Sequence, residues 1–139
     1  MTLDYVAILV ASVAQFIIGA VWYMPIFGNI WGKIHGMDQV SPDERKVMQS
    51  KMMPLMVAQF IVTVVTTVVL AIFITNLPQS WNVYALAGFF WIGFVVPTQV
   101  SAVLFGGTKP EWVITKILIM AGGSLLCLEA AAIIIKWMA

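Results

Sequence analysis

The chain has 139 residues, of which 62% are hydrophobic and only 9% are charged, and its formal net charge is +1. A water-soluble domain carries about a quarter charged residues, so a soluble fold of this composition would have to expose most of its apolar surface. The near-neutral charge argues against a nucleic-acid partner, because no basic cluster is available to hold the phosphates of a nucleic-acid backbone. Composition therefore predicts an integral membrane protein.

Four apolar stretches are long enough to cross a hydrocarbon core, which requires roughly 20 helical residues. They lack the polar alternation of barrel strands, so helices are predicted rather than a β-barrel. The expected fold is an all-α integral membrane protein with one four-helix transmembrane domain over residues 1–139. The predicted spans are about 5–24, 54–75, 82–105 and 112–136.

The first span is expected to be a retained helix, since no Lys or Arg precedes it and no small-residue cleavage site ends it. Pro25 falls where this helix reaches the membrane interface. Beyond it, apolar residues recur at helical spacing as far as Gly36, which predicts a short helix lying along the membrane surface. His35, the only histidine, has no partner at metal-ligand spacing, so we interpret it as a solvated residue.

The loop between the first two spans, residues 26–53, also contains a helix start. Ser41, Pro42 and Glu44 occupy the N-cap, first and third positions of a capping box. This pattern predicts an amphipathic cytoplasmic helix, which is expected to bend into the second span at Pro54.

The basic residues of the predicted loops lie almost entirely on one side of the membrane. By the positive-inside rule, the loops after spans 1 and 3 are cytoplasmic and both termini are periplasmic or extracellular. The opposite side has only Lys136. The basic residues in the two cytoplasmic loop regions are Lys33, Arg45, Lys46, Lys51, Lys109 and Lys116.

Ionisable groups inside a membrane are costly, so they mark candidate functional sites. Glu129 lies seven residues before Lys136, or about 10 Å inside the outer boundary at the helical rise of ~1.5 Å per residue. Other polar residues could join it in a track through the bundle, whereas the simpler interpretation is that they hydrogen-bond helices together, at about 1 kcal/mol each. These residues are Ser12, Gln15, Gln59, Thr66, Trp91, Thr98 and Gln99.

Small residues indicate where helices approach closely. Gly123, Cys127 and Ala131 are spaced by four in the last span, which predicts a smooth face for another helix, within the chain or in a second copy. Cys127 is the only cysteine, so an intrachain disulfide is excluded. Pro97, inside the third span, is expected to kink that helix. The indole N–H of Trp91, near the midplane, requires a partner.

Two segments carry a family resemblance. "GAVWYMPIFGNIWGK" and "GFVVPTQVSAVLFGGTKPEWVITK" resemble the bacterial membrane proteins catalogued as domain of unknown function 1761. The resemblance covers nearly the whole chain and implies four spans in a bacterial inner membrane, but no activity and no catalytic residues. The first motif is carried by Trp22, Tyr23, Pro25, Phe27, Gly28 and Trp31, and the second by Phe94, Pro97, Leu104 and Phe105.

The residues do not favour an enzyme. One His, one Cys and one membrane carboxylate do not make a nucleophile–base pair, a metal cluster or a carboxylate pair, and "FGG" at 105–107 lacks the Gly-Lys-Ser/Thr of a P-loop. No catalytic, metal or cofactor site is predicted. The leading hypothesis is a small multi-pass membrane protein that acts through helix packing as a homo-oligomer. The alternative is a small transporter or channel with Glu129 as its coupling carboxylate.

Overall fold

The structure is a computed structural model that describes residues 2–139, and every regular element in this range is helical. Four segments are long and apolar enough to cross a membrane: Tyr5–Ile26, Pro42–Asn76, Val83–Phe105 and Pro110–Met138. The predicted fold class, an all-α protein with four membrane-spanning helices, is confirmed.

The first span consists of helix α1, Tyr5–Val21, followed directly by a π turn, Trp22–Ile26. Asp4 caps α1, because its carboxylate accepts the N–H groups of Val6 and Ala7 at 2.9 and 3.0 Å. In the π turn the Phe27 N–H donates to the Trp22 carbonyl five residues earlier, at 3.0 Å. Pro25 lies inside this turn and lacks an N–H, so it fits a segment whose regular hydrogen bonding is already interrupted.

A short helix α2, Gly28–Ile34, and a 3₁₀ turn, Met37–Gln39, connect the first span to α3. The predicted capping box is present at the start of α3: Ser41 Oγ accepts the Glu44 N–H, and the Glu44 carboxylate accepts the Ser41 N–H. The predicted amphipathic helix and the second span form one helix, Pro42–Asn76, which continues through Pro54. A single proline removes only one backbone hydrogen bond, and helix-forming residues flank it on both sides.

The third span contains helix α4, Val83–Phe90, a second π turn, Trp91–Val95, and helix α5, Val96–Phe105. Pro97 lies in the first turn of α5, where its missing N–H is tolerated. The irregular backbone of this span is the π turn, which ends two residues before Pro97. The chain then passes through a 3₁₀ turn, Pro110–Trp112, into the last helix α6, Val113–Met138.

Helix α6 is the centre of the bundle, since it contacts α1, α3, α4 and α5. Of the most apolar 18-residue window of each span, 33% is buried in the last span and only 6% in the third. The third span is therefore peripheral. The main buried apolar cluster comprises Ile8, Ala11, Leu70, Ala71, Ala87, Leu128, Ala131, Ala132 and Ile135.

The two ends of the bundle differ in what they carry. Thr2, Asp4 and Ala139 share one end with the C-terminal part of α3, and we call this the terminal end. Residues 33–39, at and after the end of α2, lie beside residues 106–112, after α5, at the opposite end. We call that the loop end.

The capping box gives a test of the α3 start. Replacing Ser41 with alanine removes the acceptor of the Glu44 N–H, so hydrogen exchange of that amide should accelerate about fivefold, the equivalent of about 1 kcal/mol. Ser50→Ala is the matched control, because Ser50 Oγ donates only to the Val47 carbonyl one turn away. Equal acceleration of the Glu44 amide in both variants would contradict the capping role.

Candidate functional site

Three consecutive backbone carbonyls of α6 accept hydrogen bonds from other helices, and we call them the carbonyl cluster: Ile119, Met120 and Ala121. The indole N–H of Trp22 donates to the Ile119 oxygen at 2.8 Å, and that of Trp91 donates to the Ala121 oxygen at 2.8 Å. The donors come from the first and third spans. The cluster therefore ties both spans to one level of α6 and supplies the partner that Trp91 was expected to need.

Gln99 and Ser124 complete this arrangement. The Gln99 amide donates to the Met120 oxygen at 3.4 Å, and its own oxygen accepts from Ser124 Oγ at 3.3 Å. Ser124 Oγ is also 3.0 Å from the Ala121 oxygen. Ser124 was missed by sequence reasoning, because a serine in an apolar run gives no signal of which neighbour it faces.

Both tryptophans are the first residues of π turns. The Trp91 carbonyl accepts the Val96 N–H, just as the Trp22 carbonyl accepts the Phe27 N–H. A π turn inserts an extra residue into the helical repeat and shifts the faces of the residues on either side of it. The two spans are thus locally modified at the residues that bind α6, which is otherwise a continuous α-helix.

Two glycines of α6 make room for the Trp22 indole. A Cβ built on Gly123 would lie 2.8 Å from Trp22 Cδ1, and one built on Gly122 would lie 2.9 Å from Trp22 Cζ2. These distances are shorter than van der Waals contact, so any side chain at these positions would displace the ring. Gly122 and Gly123 are required by the close approach of the indole.

The small-residue face of α6 is occupied within the chain. Gly123 lies under Trp22, Ala131 is completely buried, and the Cys127 thiol donates to the Gln15 carbonyl at 3.5 Å. Helix α1 therefore covers this face within the chain, which is one of the two arrangements that the small-residue spacing predicted.

A buried pair links α1 to α3. The Gln15 amide donates to Thr67 Oγ1 at 2.6 Å, and Thr67 Oγ1 in turn donates to the Thr63 carbonyl at 2.7 Å. Ser12 is fully buried one turn away and donates to the Ile8 carbonyl at 2.8 Å. Thr67 is thus the inward threonine of this helix.

The neighbouring Thr66, and not Thr67, was predicted to belong to the polar group. Thr66 is exposed on the side of the bundle and donates to the Val62 carbonyl of its own helix at 3.1 Å. The spacing of Thr67 from the buried Leu70 and Ala71, three and four residues later, is the helical-face signal that could have identified it.

Glu129 is the membrane carboxylate of α6, and it lies beside α4. A Cβ built on Gly88 would be 3.8 Å from Glu129 Oε1, an ordinary van der Waals distance, so the carboxylate lies in the space beside this glycine. We call this the Gly88–Glu129 groove. Within residues 2–139 the carboxylate makes no hydrogen bond or ion pair. It is half-buried and has no hydrogen bond to the other polar residues of the predicted track.

Gln59 and Thr98 face outward. The Thr98 hydroxyl donates to the Phe94 carbonyl at 2.7 Å, whereas the Gln59 amide has no hydrogen bond among the described residues. The polar residues grouped by depth thus belong to separate contacts: the carbonyl cluster with Trp91 and Gln99, the Gln15–Thr67 pair with Ser12 nearby, and the exposed side chains.

The first family motif brings aromatic rings into tilted contacts, as one pair and one group of three. Ring centroids are 4.6 Å apart for Trp22 and Phe27, for Tyr23 and Trp31, and for Trp31 and His35. His35 Nδ1 donates to the Trp31 carbonyl at 2.8 Å, as the carbonyl can only accept. Gly28 lies close to the Tyr23 carbonyl, since a Cβ built on Gly28 would be 3.5 Å from that oxygen.

The second family motif is more exposed. Phe105 is 90% exposed and Leu104 and Phe94 are also on the surface, while Pro97 follows the second π turn. Lys116, near the start of α6, lies 5.8 Å from the centre of the Trp31 ring. Across residues 2–139, no three His, Cys, Asp or Glu side chains come together as a metal site would require.

Comparisons with known proteins give one family. The model of the DUF1761 family, described as a protein of unknown function, matches residues 6–136. No curated protein and no solved structure matches the chain. The suspected family is confirmed, and its description assigns no chemistry to any residue.

The Trp22 hydrogen bond can be tested with a conservative substitution. Trp22→Phe keeps an aromatic ring but removes the donor to the Ile119 carbonyl, so we expect the free energy of unfolding in detergent to fall by about 1 kcal/mol. Trp137→Phe is the control, because Trp137 is 80% exposed near the terminal end. If the two variants unfold alike, the indole bond does not stabilise the fold.

The glycine contact gives a second test on the same helix. Gly123→Ala places a methyl group against the Trp22 ring and should lower the free energy of unfolding by about 1–3 kcal/mol. Gly93→Ala is its matched control, since a Cβ at Gly93 meets nothing within 4 Å. Thermal unfolding of both variants in one detergent compares them, and equal stability would rule out close packing at Gly123.

Proposed function

We propose that this chain, which belongs to the DUF1761 family, is a multi-pass membrane protein that works as a homo-oligomer through helix packing. The observation that carries the proposal is Glu129, a carboxylate in the middle of an apolar helix with no partner among residues 2–139. A second copy of the chain, seated over the Gly88–Glu129 groove, would supply that partner.

The contrast between the inside and the outside of the bundle supports this proposal. Trp22, Trp91, Gln15 and Gln99 all bond to other helices of the same chain. In hydrocarbon, an unpaired polar group costs several kcal/mol by transfer estimates. Glu129 and the outward-facing Gln59 are therefore the groups for which a subunit contact is most favourable.

The third span offers the surface for this contact. Only 6% of its most apolar window is buried, although it runs beside Glu129. Gly88 and the open Gly93 lie along it and would allow another helix to approach closely. Closed two-fold dimers are the commonest symmetric assemblies, and one patch on each copy suffices to form them.

The proposal includes an orientation in the bacterial inner membrane. The loop end, which carries Lys33, Lys109 and the basic start of α3, is assigned to the cytoplasm by the positive-inside rule. Helix α3 has 35 residues, or about 52 Å at the helical rise of ~1.5 Å per residue. A hydrocarbon core is about 30 Å thick, so the excess projects from the loop end.

The same carboxylate favours a second candidate function. An unpaired membrane glutamate beside a glycine could bind and release a cation or proton, which is how a small transporter would couple flux to a gradient. In proteoliposomes, this function requires a pH-dependent flux that Glu129→Gln abolishes. The homo-oligomer proposal requires no flux and concerns only subunit association.

Association between subunits tests the main proposal. We expect Glu129→Leu to weaken the oligomer about tenfold, because removal of the carboxylate deletes a membrane-embedded contact of about 1–2 kcal/mol. The measurement is energy transfer between C-terminally labelled copies in vesicles as the lipid-to-protein ratio is raised. Thr66→Val is the control, since Thr66 is exposed but bonds within its own helix.

If Glu129→Leu loses energy transfer at a lower lipid-to-protein ratio than Thr66→Val does, the result supports the subunit contact. Unchanged association in Glu129→Leu, or no energy transfer in the unmodified protein at any dilution, would contradict it.

A further inference from the structure

A cavity of about 480 Å³ lies at the loop end, among segments that are far apart in the sequence. Its walls come from residues 33–39, from the turn after α5 at residues 106–109, and from Glu111, Trp112 and Lys116 near the start of α6. This volume is in the range of sites that hold small molecules. Most of its lining side chains are polar, unlike the rest of the bundle.

The charged side chains of the cavity carry an excess of positive charge. Three lysines and two carboxylates leave a net charge of +1 when His35 is counted as neutral. None of these lysines lies within the 4.0 Å of a carboxylate oxygen that would make an ion pair among the described residues. Their ammonium groups can therefore pair with an anion from outside the chain. The charged residues are Lys33, Lys109, Lys116, Asp38 and Glu111.

The turn after α5 adds neutral donors. The backbone passes from Gly106, with φ −89°, to Gly107, with φ +76°. A right-handed residue followed by a left-handed one turns successive N–H groups toward a common point, which is an anion-binding geometry. In the described part of the chain, neither the Gly107 nor the Thr108 N–H donates to a backbone carbonyl.

Thr108 provides a further unused group. Its Oγ1 is buried and has no hydrogen-bond partner within residues 2–139, although Thr108 lines the cavity. A buried hydroxyl without a partner is unfavourable by about 1–3 kcal/mol, so a ligand oxygen within its reach would be stabilising. Backbone donors, a hydroxyl and ammonium groups are the set that phosphate oxygens accept from.

The cavity also adjoins apolar surface. Phe105 and Leu104, immediately before the Gly106–Gly107 turn, are 90% and 56% exposed. Trp112 lines the cavity, and Trp31 packs under Lys116. Aromatic residues and exposed apolar side chains at a span's end mark the depth of the lipid headgroups.

We propose that this cavity binds a phosphate group. Lys33 and Lys109 supply the charge, and Thr108 with the Gly106–Gly107 turn supplies neutral donors. The phosphate could belong to an anionic phospholipid headgroup at the membrane surface or to a soluble phosphate compound, and the two sources are separable by experiment.

The experiment uses the full chain and two probes. Native mass spectrometry in detergent compares the binding of phosphatidylglycerol with that of phosphatidylcholine, and calorimetry in phosphatidylcholine nanodiscs measures inorganic phosphate. Replacing both Lys33 and Lys109 with glutamine should lower the affinity for the bound probe about thirtyfold, since each lysine contributes about fivefold. The matched control replaces Lys46 and Lys51, two exposed lysines of α3 that do not line the cavity.

Thr108→Val serves as the second variant, because it preserves every charge and the shape of the side chain. We expect it to weaken binding about tenfold. Selective phosphatidylglycerol binding that both cavity variants lower supports the headgroup, and phosphate binding that both lower supports a soluble ligand. Absence of both kinds of binding, equal losses in the control pair, or an unchanged affinity in Thr108→Val would overturn the proposal.

Discussion

The constraint on which this structure depends is that polar groups in hydrocarbon must find their partners inside the protein. Helix α6 meets it in an unusual way, because three of its consecutive carbonyls accept donors from other helices. The donors reach it from both sides, through the indoles of Trp22 and Trp91. Since each helical carbonyl already accepts from its own helix, these bonds use the second lone pair of each oxygen. They fix the first and third spans at one level without breaking α6.

This arrangement explains why the irregular backbone lies where it does. Spans 1 and 3 each contain a π turn that begins at the donating tryptophan, whereas α6 stays a regular helix. Helix α6, which accepts bonds from several neighbours, keeps its regular α-helical repeat, so its consecutive carbonyls stay at regular positions. The neighbours adjust instead. Gly122 and Gly123 allow that adjustment, since the Trp22 ring lies directly on their backbone.

The sequence predicted what depends on local chemistry. Hydropathy gave four spans, and the residues Ser41, Pro42 and Glu44 gave the capping box, because a cap is formed by residues that are adjacent in the chain. The sequence was a poorer guide to which side of a helix faces the interior of the bundle. Residue spacing gives depth in the membrane, so it selected Thr66, but the rotation that turns Thr67 inward is decided by packing against α1. The small-residue face was recognised, and only the structure identifies α1 as its occupant.

The candidate sites are formed by polar groups that, within residues 2–139, have no hydrogen-bond partner in the packed interior of the bundle. The Gly88–Glu129 groove is on the peripheral side of α6, and the proposed phosphate cavity is at the loop end, with Lys116 of α6 in its wall. Glu129 is thirteen positions after Lys116, or about 20 Å along the helix. The carbonyl cluster lies between them. Because it joins spans 1 and 3 to α6 by hydrogen bonds, a displacement of α6 along its axis at either proposed site would strain the indole contacts as well. If the two proposed sites are coupled through α6, we expect the contacts of Trp22 and Trp91 to change, whereas independent sites would leave those contacts untouched.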